Sequence, residues 1–212
     1  MTARPKRMAA AERREQIIKV TLRVVARHGV QDATNARIAK AAGISEKMLY
    51  VHFGSRKKLL IAALNAAFDQ AASVLDAGDE TNAVDRLRAA GRAKWGTLTR
   101  AKDGNGFVYP LYEFLATPPE AGFRDHVLAK QQAVLDRFTE IIEQGIQDGT
   151  VRPDVDSTQV AWELLAIFMS QDLWYLSGFD ESKSTGRSAV MLERLLRDSS
   201  VDPSVSGETS SD

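Results

Sequence analysis

Apolar residues recur along this chain with the spacing of helices. Over residues 9–27, Ile18, Leu22, Val25 and Ala26 fall on one stripe of a 3.6-residue period, and Gly29 supplies a stop. Two short segments follow on either side of a turn: 35–42, then Gly43-Ile44-Ser45, then 46–52. Gly54-Ser55 opens a longer helix in which Leu60, Ala63, Leu64, Ala67, Phe68, Ala71 and Leu75 keep the period. A break at 78–81 precedes a helix over 82–100 with Val84, Leu87, Gly91, Trp95 and Leu98 on one face, and 102–106 reads as a loop. The segment 107–116 is short, aromatic and interrupted by Pro110. Pro118-Pro119 ends it and starts a helix to about residue 147, with Val127, Gln131, Val134, Leu135, Phe138, Ile141, Ile142 and Ile146 inward and Gly149 as its close. Asp154-Val155-Asp156-Ser157 caps a helix over 158–177, and a last helix spans 188–197. The Ser-, Asp- and Gly-rich residues 199–212 are expected to be a disordered tail. No segment alternates with period two for long enough to argue a sheet, so the expected fold class is all-α.

Composition narrows the chemistry. The chain has 212 residues, 44% of them hydrophobic, enough to bury a full core, and it has no cysteine. That removes disulfides, thiolate metal sites, a cysteine nucleophile and iron–sulfur clusters, and fits a reducing, cytoplasmic setting. The basic start leads into Glu12-Arg13-Arg14-Glu15 rather than an apolar run, so no secretory signal is expected. The apolar stretch 160–179 carries Glu163, Gln171 and Asp172, so no membrane span is expected there.

The charge is balanced overall at 28 against 28, yet residues 1–60 hold 14 Lys/Arg and 4 Asp/Glu, a net of +10, and the remainder carries −10. The N-terminal quarter therefore faces something anionic, a nucleic acid or an acidic membrane, or else is a solvated basic face. Residues 34–50 decide between these. Ile38, Ala39, Ala42, Ile44 and Leu49 make a small shared core, Gly43 suits a left-handed position after the first helix, and the Ser45 hydroxyl can cap the second. Two helices so joined present the N-terminal residues of the second to a major groove, and their place in the most basic part of the chain favours DNA over an ordinary hairpin. Ser55-Arg56-Lys57-Lys58 adds a second clue. Cations at a helix start oppose the macrodipole unless an anion such as a phosphate sits there, the alternative being plain solvation of exposed side chains.

Gly29 followed by Thr34, Ile38-Ala39, Ala42-Gly43-Ile44-Ser45, Leu49-Tyr50, His52-Phe53, and Lys57 with Leu60 resemble the N-terminal domain of the TetR family of transcriptional regulators. The resemblance covers residues 10–62. It implies a three-helix DNA-binding domain (1–60), a helical ligand-binding and dimerisation domain (61–198), and a homodimer whose affinity for a palindromic operator in double-stranded DNA is changed by a small-molecule effector, most simply a repressor released by a largely apolar ligand. Residues 46–52 become the recognition helix, with Tyr50 and Lys57 on phosphates and Lys47, Met48, Val51 and His52 at bases. Thr34 caps the preceding helix and touches a phosphate; Arg37, Ser45, Glu46 and Lys58 complete the candidate DNA contacts. Lys47 suits guanine O6/N7, and Met48 or Val51 a thymine methyl. Ala36 stands where an arginine is frequent in the family and Lys47 where a small residue is common, which shifts base readout toward the second helix. His52 has a packing alternative beside Phe53. Arg4, Lys6, Arg7, Arg13 and Arg14 form a basic arm, either reaching a groove or mobile in solvent.

In the second domain, aromatic rings leave gaps that an apolar ligand can fill, although an aromatic at helical spacing is more often core. The candidates are Trp95, Phe107, Tyr109, Tyr112, Phe114, Gln131, Phe138 and Trp174, with Glu113, His126 and Asp172 as further polar groups. Gly91 and Gly96 inside a helix indicate close packing or space. By resemblance, 158–177 and 188–197 form a four-helix bundle with the partner, and the helix 56–75 serves as hinge. A phosphate loop, HExxH and Gly-x-Ser-x-Gly are all missing, and the only histidines are His28, His52 and His126. No enzyme activity, cofactor or metal is expected. A ligand-independent architectural DNA-binding protein is the alternative function.

Overall fold

The structure, a computed structural model, describes residues 9–76, 82–100 and 107–201. These form α1 (Ala10–Asp32), α2 (Asn35–Ala42), α3 (Glu46–Phe53), α4 (Arg56–Ala72), α5 (Ala83–Arg100), α6 (Val108–Leu115), α7 (Arg124–Asp148), α8 (Ser157–Leu176) and α9 (Glu181–Ser199), with short 3-10 turns at Ser73–Asp76 and Pro119–Ala121. Among the described residues the only extended pairing is an isolated bridge between Val151 and Ser200, and the fold is all-α.

The chain divides into two compact units, Met1–Asp69 with Tyr109–Val127, and Gln70–Val108 with Leu128–Asp212. This differs from a division at residue 60. Most of α4 belongs with the first unit because Leu59, Leu60, Ala63, Leu64 and Ala67 are buried along it. Residues 109–127 join that unit too, and Phe114 and Phe123 meet edge-on in it at 5.6 Å. By length and composition Arg56–Asp76 is apolar enough to cross a membrane, a signal that a buried core helix also gives, and α4 spends its apolar residues on packing.

Several boundaries move. Gly29 breaks the first helix as expected, with a non-helical backbone (φ +77°, ψ +165°), and a short helical segment continues beyond it to Asp32. Pro110 is the third residue of α6, in the first turn, where a helix lacks an N–H partner anyway, so it does not interrupt the segment. Pro118-Pro119 makes a separate 3-10 turn closed by Gly122, and α7 starts only at Arg124. The last helix starts at Glu181, capped by the Asp180 carboxylate accepting from Lys183 N–H at 3.1 Å, rather than at residue 188. It ends at Ser199, and the Arg152 N–H to Ser199 carbonyl bond (2.9 Å) ties that end to the α7–α8 loop. Ser199 and Ser200 are buried, so the expected tail does not begin at 199; its remainder, 202–212, lies outside the described residues, as do the expected break at 78–81 and loop at 102–106.

The core of the second unit is built by Val84, Leu87 and Ala90 of α5, Phe138, Ile141 and Ile142 of α7, Leu164 and Phe168 of α8, and Leu192 and Leu196 of α9. Within the two helices expected to form the dimer bundle, Val160, Leu164, Phe168, Leu192 and Leu196 are therefore spent inside the chain, with Leu165 and Leu195 partly buried against them. The apolar residues left outward on these two helices are Trp162, Leu173, Val190 and Met191. Arg88 of α5 grips Glu193 of α9 through Nε at 2.8 Å and Nη2 at 3.1 Å, and the hydrogen bond to Glu193 raises the guanidinium pKa further.

Candidate nucleic-acid interface

Each cap that the sequence anticipates around α2 and α3 is formed. The Thr34 hydroxyl accepts from Arg37 N–H at 3.3 Å and the Ser45 hydroxyl from Met48 N–H at 3.4 Å. Gly43 takes the left-handed conformation (φ +65°, ψ +34°) that a side chain would strain, and Ile44 N–H closes the turn onto the Ala39 carbonyl at 3.0 Å. Ile38, Ala39, Ala42, Leu49 and Phe53 are buried beneath. The outward face of α3 then carries Met48 (39% exposed), Tyr50 (53%) and Val51 (68%), with Glu46 and Lys47 also exposed. Large apolar side chains left in water on a short helix beside a lysine suit contact with base edges and methyl groups.

Neighbouring groups fix this face. Tyr50 Oη accepts from Asn35 Nδ2 at 3.0 Å, which sets the phenol's direction and ties α2 to α3. Asn35 was not among the sequence candidates; its position one residue after the cap Thr34 was the available signal. Arg14 donates to the His52 carbonyl and stacks over the Phe53 ring at 4.3 Å. Arg14 thus anchors the end of α3 rather than forming part of a mobile arm, while Arg4, Lys6 and Arg7 lie outside the described residues. His52 is half-buried, its ring 6.4 Å from that of Phe53.

The basic run 55–58 divides by role. Arg56 donates to the carbonyls of Val30 (2.6 Å), Gln31 (2.9 Å) and Ala33 (3.0 Å), the open end of α1, where a cation complements the helix dipole. Ser55 caps α4 by accepting from Lys58 N–H at 3.2 Å. Lys57 and Lys58 remain exposed; the Lys57 ammonium rests against Gly122, within the same unit. Thr34 and Arg37 are exposed as well, and Arg37 also donates to the Asp32 carbonyl at 2.8 Å.

The aromatic candidates of the ligand set separate. Phe107, Phe114 and Phe138 are almost wholly buried, with Phe138 edge-on to Phe168 at 5.5 Å, which makes them core in this conformation. Tyr109, Tyr112 and Phe114 belong to the first unit, and Trp95, Phe107, Gln131, Phe138 and Trp174 to the second. Trp95, Gln131 and Trp174 are partly buried. An open groove of about 330 Å³ between α7 and α8, lined by Gln132, Asp136, Glu140 and Trp162 among others, contains none of the eight. Among the described residues no group of three or more acidic, His or Cys side chains is placed to hold a metal.

A capped pair of helices joined through a left-handed glycine, with an exposed mixed apolar and basic face, defines a helix-turn-helix regulator. Comparison with known proteins agrees. Residues 17–63 match the model for bacterial regulatory proteins of the tetR family, and residues 83–173 match that for the tetracyclin repressor-like C-terminal domain. The chain belongs to the tetR family, and is a DNA-binding transcriptional regulator. It is 37% identical over 90 residues to the HTH-type transcriptional regulator BetI of Stenotrophomonas maltophilia, covering 40% of this chain and 45% of that one. Against the HTH-type transcriptional repressor AcnR of Corynebacterium efficiens it is 27% identical over 188 residues, covering 86% and 88%. A crystal structure of a TetR-family regulator from Rhodococcus sp. superposes with a TM-score of 0.74 at 23% identity, over 87% of this chain and 99% of that one.

Proposed function

We propose that this chain is a cytoplasmic, non-catalytic repressor that binds a palindromic operator as a homodimer and leaves it when a small, largely apolar effector binds the second unit. The exposed Lys47, Met48, Tyr50 and Val51 on a helix held by Ser45, Asn35 and Arg14 carry this reading. In it Lys47, Met48, Val51 and His52 read bases, and Thr34, Arg37, Ser45, Glu46, Tyr50, Lys57 and Lys58 surround them at the backbone. The repressor sign follows the relative AcnR, which aligns over most of both chains. Outward Trp162, Leu173, Val190 and Met191 on α8 and α9 supply the dimer face. Trp95, Gln131 and Trp174, the partly buried candidates in the second unit, are the better-placed effector contacts. Effector binding is transmitted along α4, which contributes residues to both units.

In vitro transcription from a promoter carrying an operator selected from a random duplex pool tests this. Added protein lowers transcript yield, and sedimentation shows two chains per operator. Unchanged or raised transcription would reverse the repressor assignment, and a single bound chain would remove the dimer.

A further inference from the structure

Lys94 and Asp172 form an ion pair of 2.6 Å in the interior of the second unit, with 4% and 6% of their side chains exposed. Lys94 Nζ lies 5.0 Å from the centroid of the Phe107 ring. The helices that carry the pair are otherwise anchored by Leu87 and Ala90 on α5 and Leu164, Ile167 and Phe168 on α8. Beside Asp172, Gln171 is satisfied at both ends of its amide: Nε2 donates to Ser184 and Thr185 at 3.4 Å each, and Oε1 accepts from Ser188 at 2.6 Å. Next to Lys94, the Trp95 indole N–H is buried and finds no acceptor among the described residues. A Cβ built on Gly96 would meet nothing within 4 Å, so α5 borders open space at this level.

None of these groups belongs to the DNA face or to the outward face of α8 and α9. Stability does not explain the pair either, since well-packed apolar residues of similar volume commonly serve as well as a buried ion pair. A buried ammonium paired with a carboxylate and lying beside an aromatic ring is, however, a ready receptor for another carboxylate.

We propose, resting on the effector reading above, that the effector is an organic acid with an apolar body, and that its carboxylate takes the place of Asp172 on Lys94. The exchange balances. The effector carboxylate accepts from Nζ, and one proton from the solvent goes to Asp172, which becomes a neutral carboxylic acid. The carboxylate and the proton enter together, so the net charge of this interior is the same before and after. An amine would have to displace Lys94 from Asp172 and strand a second ammonium in the same interior. Burial already pushes the Asp172 carboxyl up from the ordinary carboxylate value against the pull of Lys94, which makes it the group that takes the proton.

Titration calorimetry of the full chain with the acids from butanoate to dodecanoate and with phenylacetate, against their amides and amines, tests the assignment. Run in buffers of different ionisation heat, it counts protons. At neutral pH an acid of the fitting length binds with uptake of about one proton. Asp172→Asn, which mimics the protonated state, binds the same acid without proton uptake. Lys94→Met weakens the acid roughly tenfold or more and leaves the amide unchanged. Acids and amides binding alike, or acid binding with no proton uptake in the parent chain, would overturn the proposal. Thermal melting checks that Lys94→Met folds, and where it does not, the proton counts of the parent and Asp172→Asn decide. Amides or amines that bind and release the selected DNA, with acids inert, would leave the effector reading standing and remove the acid class. If nothing in the panel binds, the acid assignment fails, and a neutral-compound screen for DNA release then tests the effector reading alone.

Discussion

Lys57 and Lys47 are both exposed cations of the first unit, and they differ in what their removal should cost. A lysine on a phosphate contributes through released counterions and ignores sequence, so Lys57→Ala should weaken every duplex by a similar factor and reduce the slope of log affinity against log salt by about one. A lysine on a base edge discriminates, so Lys47→Ala should relax preference at one base pair, by about 1–3 kcal/mol, with little change in that slope. Anisotropy titrations of both variants over a salt series distinguish the two roles. Arg56 belongs to neither class. Its bonds to three carbonyls at the end of α1 and its cap Ala33 predict that Arg56→Ala lowers stability by about 2 kcal/mol in thermal melts, whereas Lys58→Ala stays within about 0.5 kcal/mol. In the sequence Arg56, Lys57 and Lys58 look like one basic run, because nothing local shows that the end of α1, more than twenty residues earlier, lies under the first of them. The caps at Thr34 and Ser45 were legible for the opposite reason, since a hydroxyl and an N–H three residues on need only local geometry.

Elements were legible where one face of a helix is apolar and the other is not. The helix pair α2 and α3 satisfies this, with its shared core on one side and its exposed face on the other. α8 does not, because it buries Val160, Leu164 and Phe168 within the chain while exposing Trp162 and Leu173. Period alone then identifies a helix without saying which apolar face meets which partner. Close approach was likewise hidden at Gly145 of α7, where a Cβ would lie 2.6 Å from Ala83 Cβ and 2.6 Å from Val151 Cγ2. Ala83 cannot rotate its methyl away, so Gly145→Ala should cost about 1–3 kcal/mol in denaturant unfolding despite alanine's higher helix propensity. The buried pair on α5 and α8 has a pH signature. Since the folded pKa of Asp172 lies above its unfolded value of 3.8, its contribution to stability is fully present below that value and is lost as pH rises through the folded one. Asp172→Asn removes this loss, so the melting temperature of the variant relative to the parent should climb with pH across the acid range; a constant difference would show that Asp172 does not titrate this way.

At the scale of the whole molecule, the opposite charges of the two parts of the chain have a simple physical sense. Positive charge concentrates where the capped helix pair sits, and the remainder is acidic, a charge that repels a polyanion. The two-part organisation was legible from this and from the helix periods, but the position of residues 109–127 in the first unit was not, because unit membership depends on long-range packing such as Phe114 on Phe123. The proposed dimer on a two-fold operator requires two recognition helices about one DNA turn apart, and α9 exposes the apolar Val190 and Met191. Val190→Glu should therefore yield a folded monomer by sedimentation that binds a half-site weakly and the full operator with no added affinity.

The most direct test of the central claim is selection of bound sequences from a random duplex pool, followed by binding of the winner at two salt concentrations. A sequence-specific regulator predicts enrichment of a palindrome whose binding falls steeply with salt and which outcompetes bulk DNA at the higher concentration. Salt-sensitive binding of all sequences alike, with no enriched motif, would contradict the account and leave an architectural DNA-binding protein in its place.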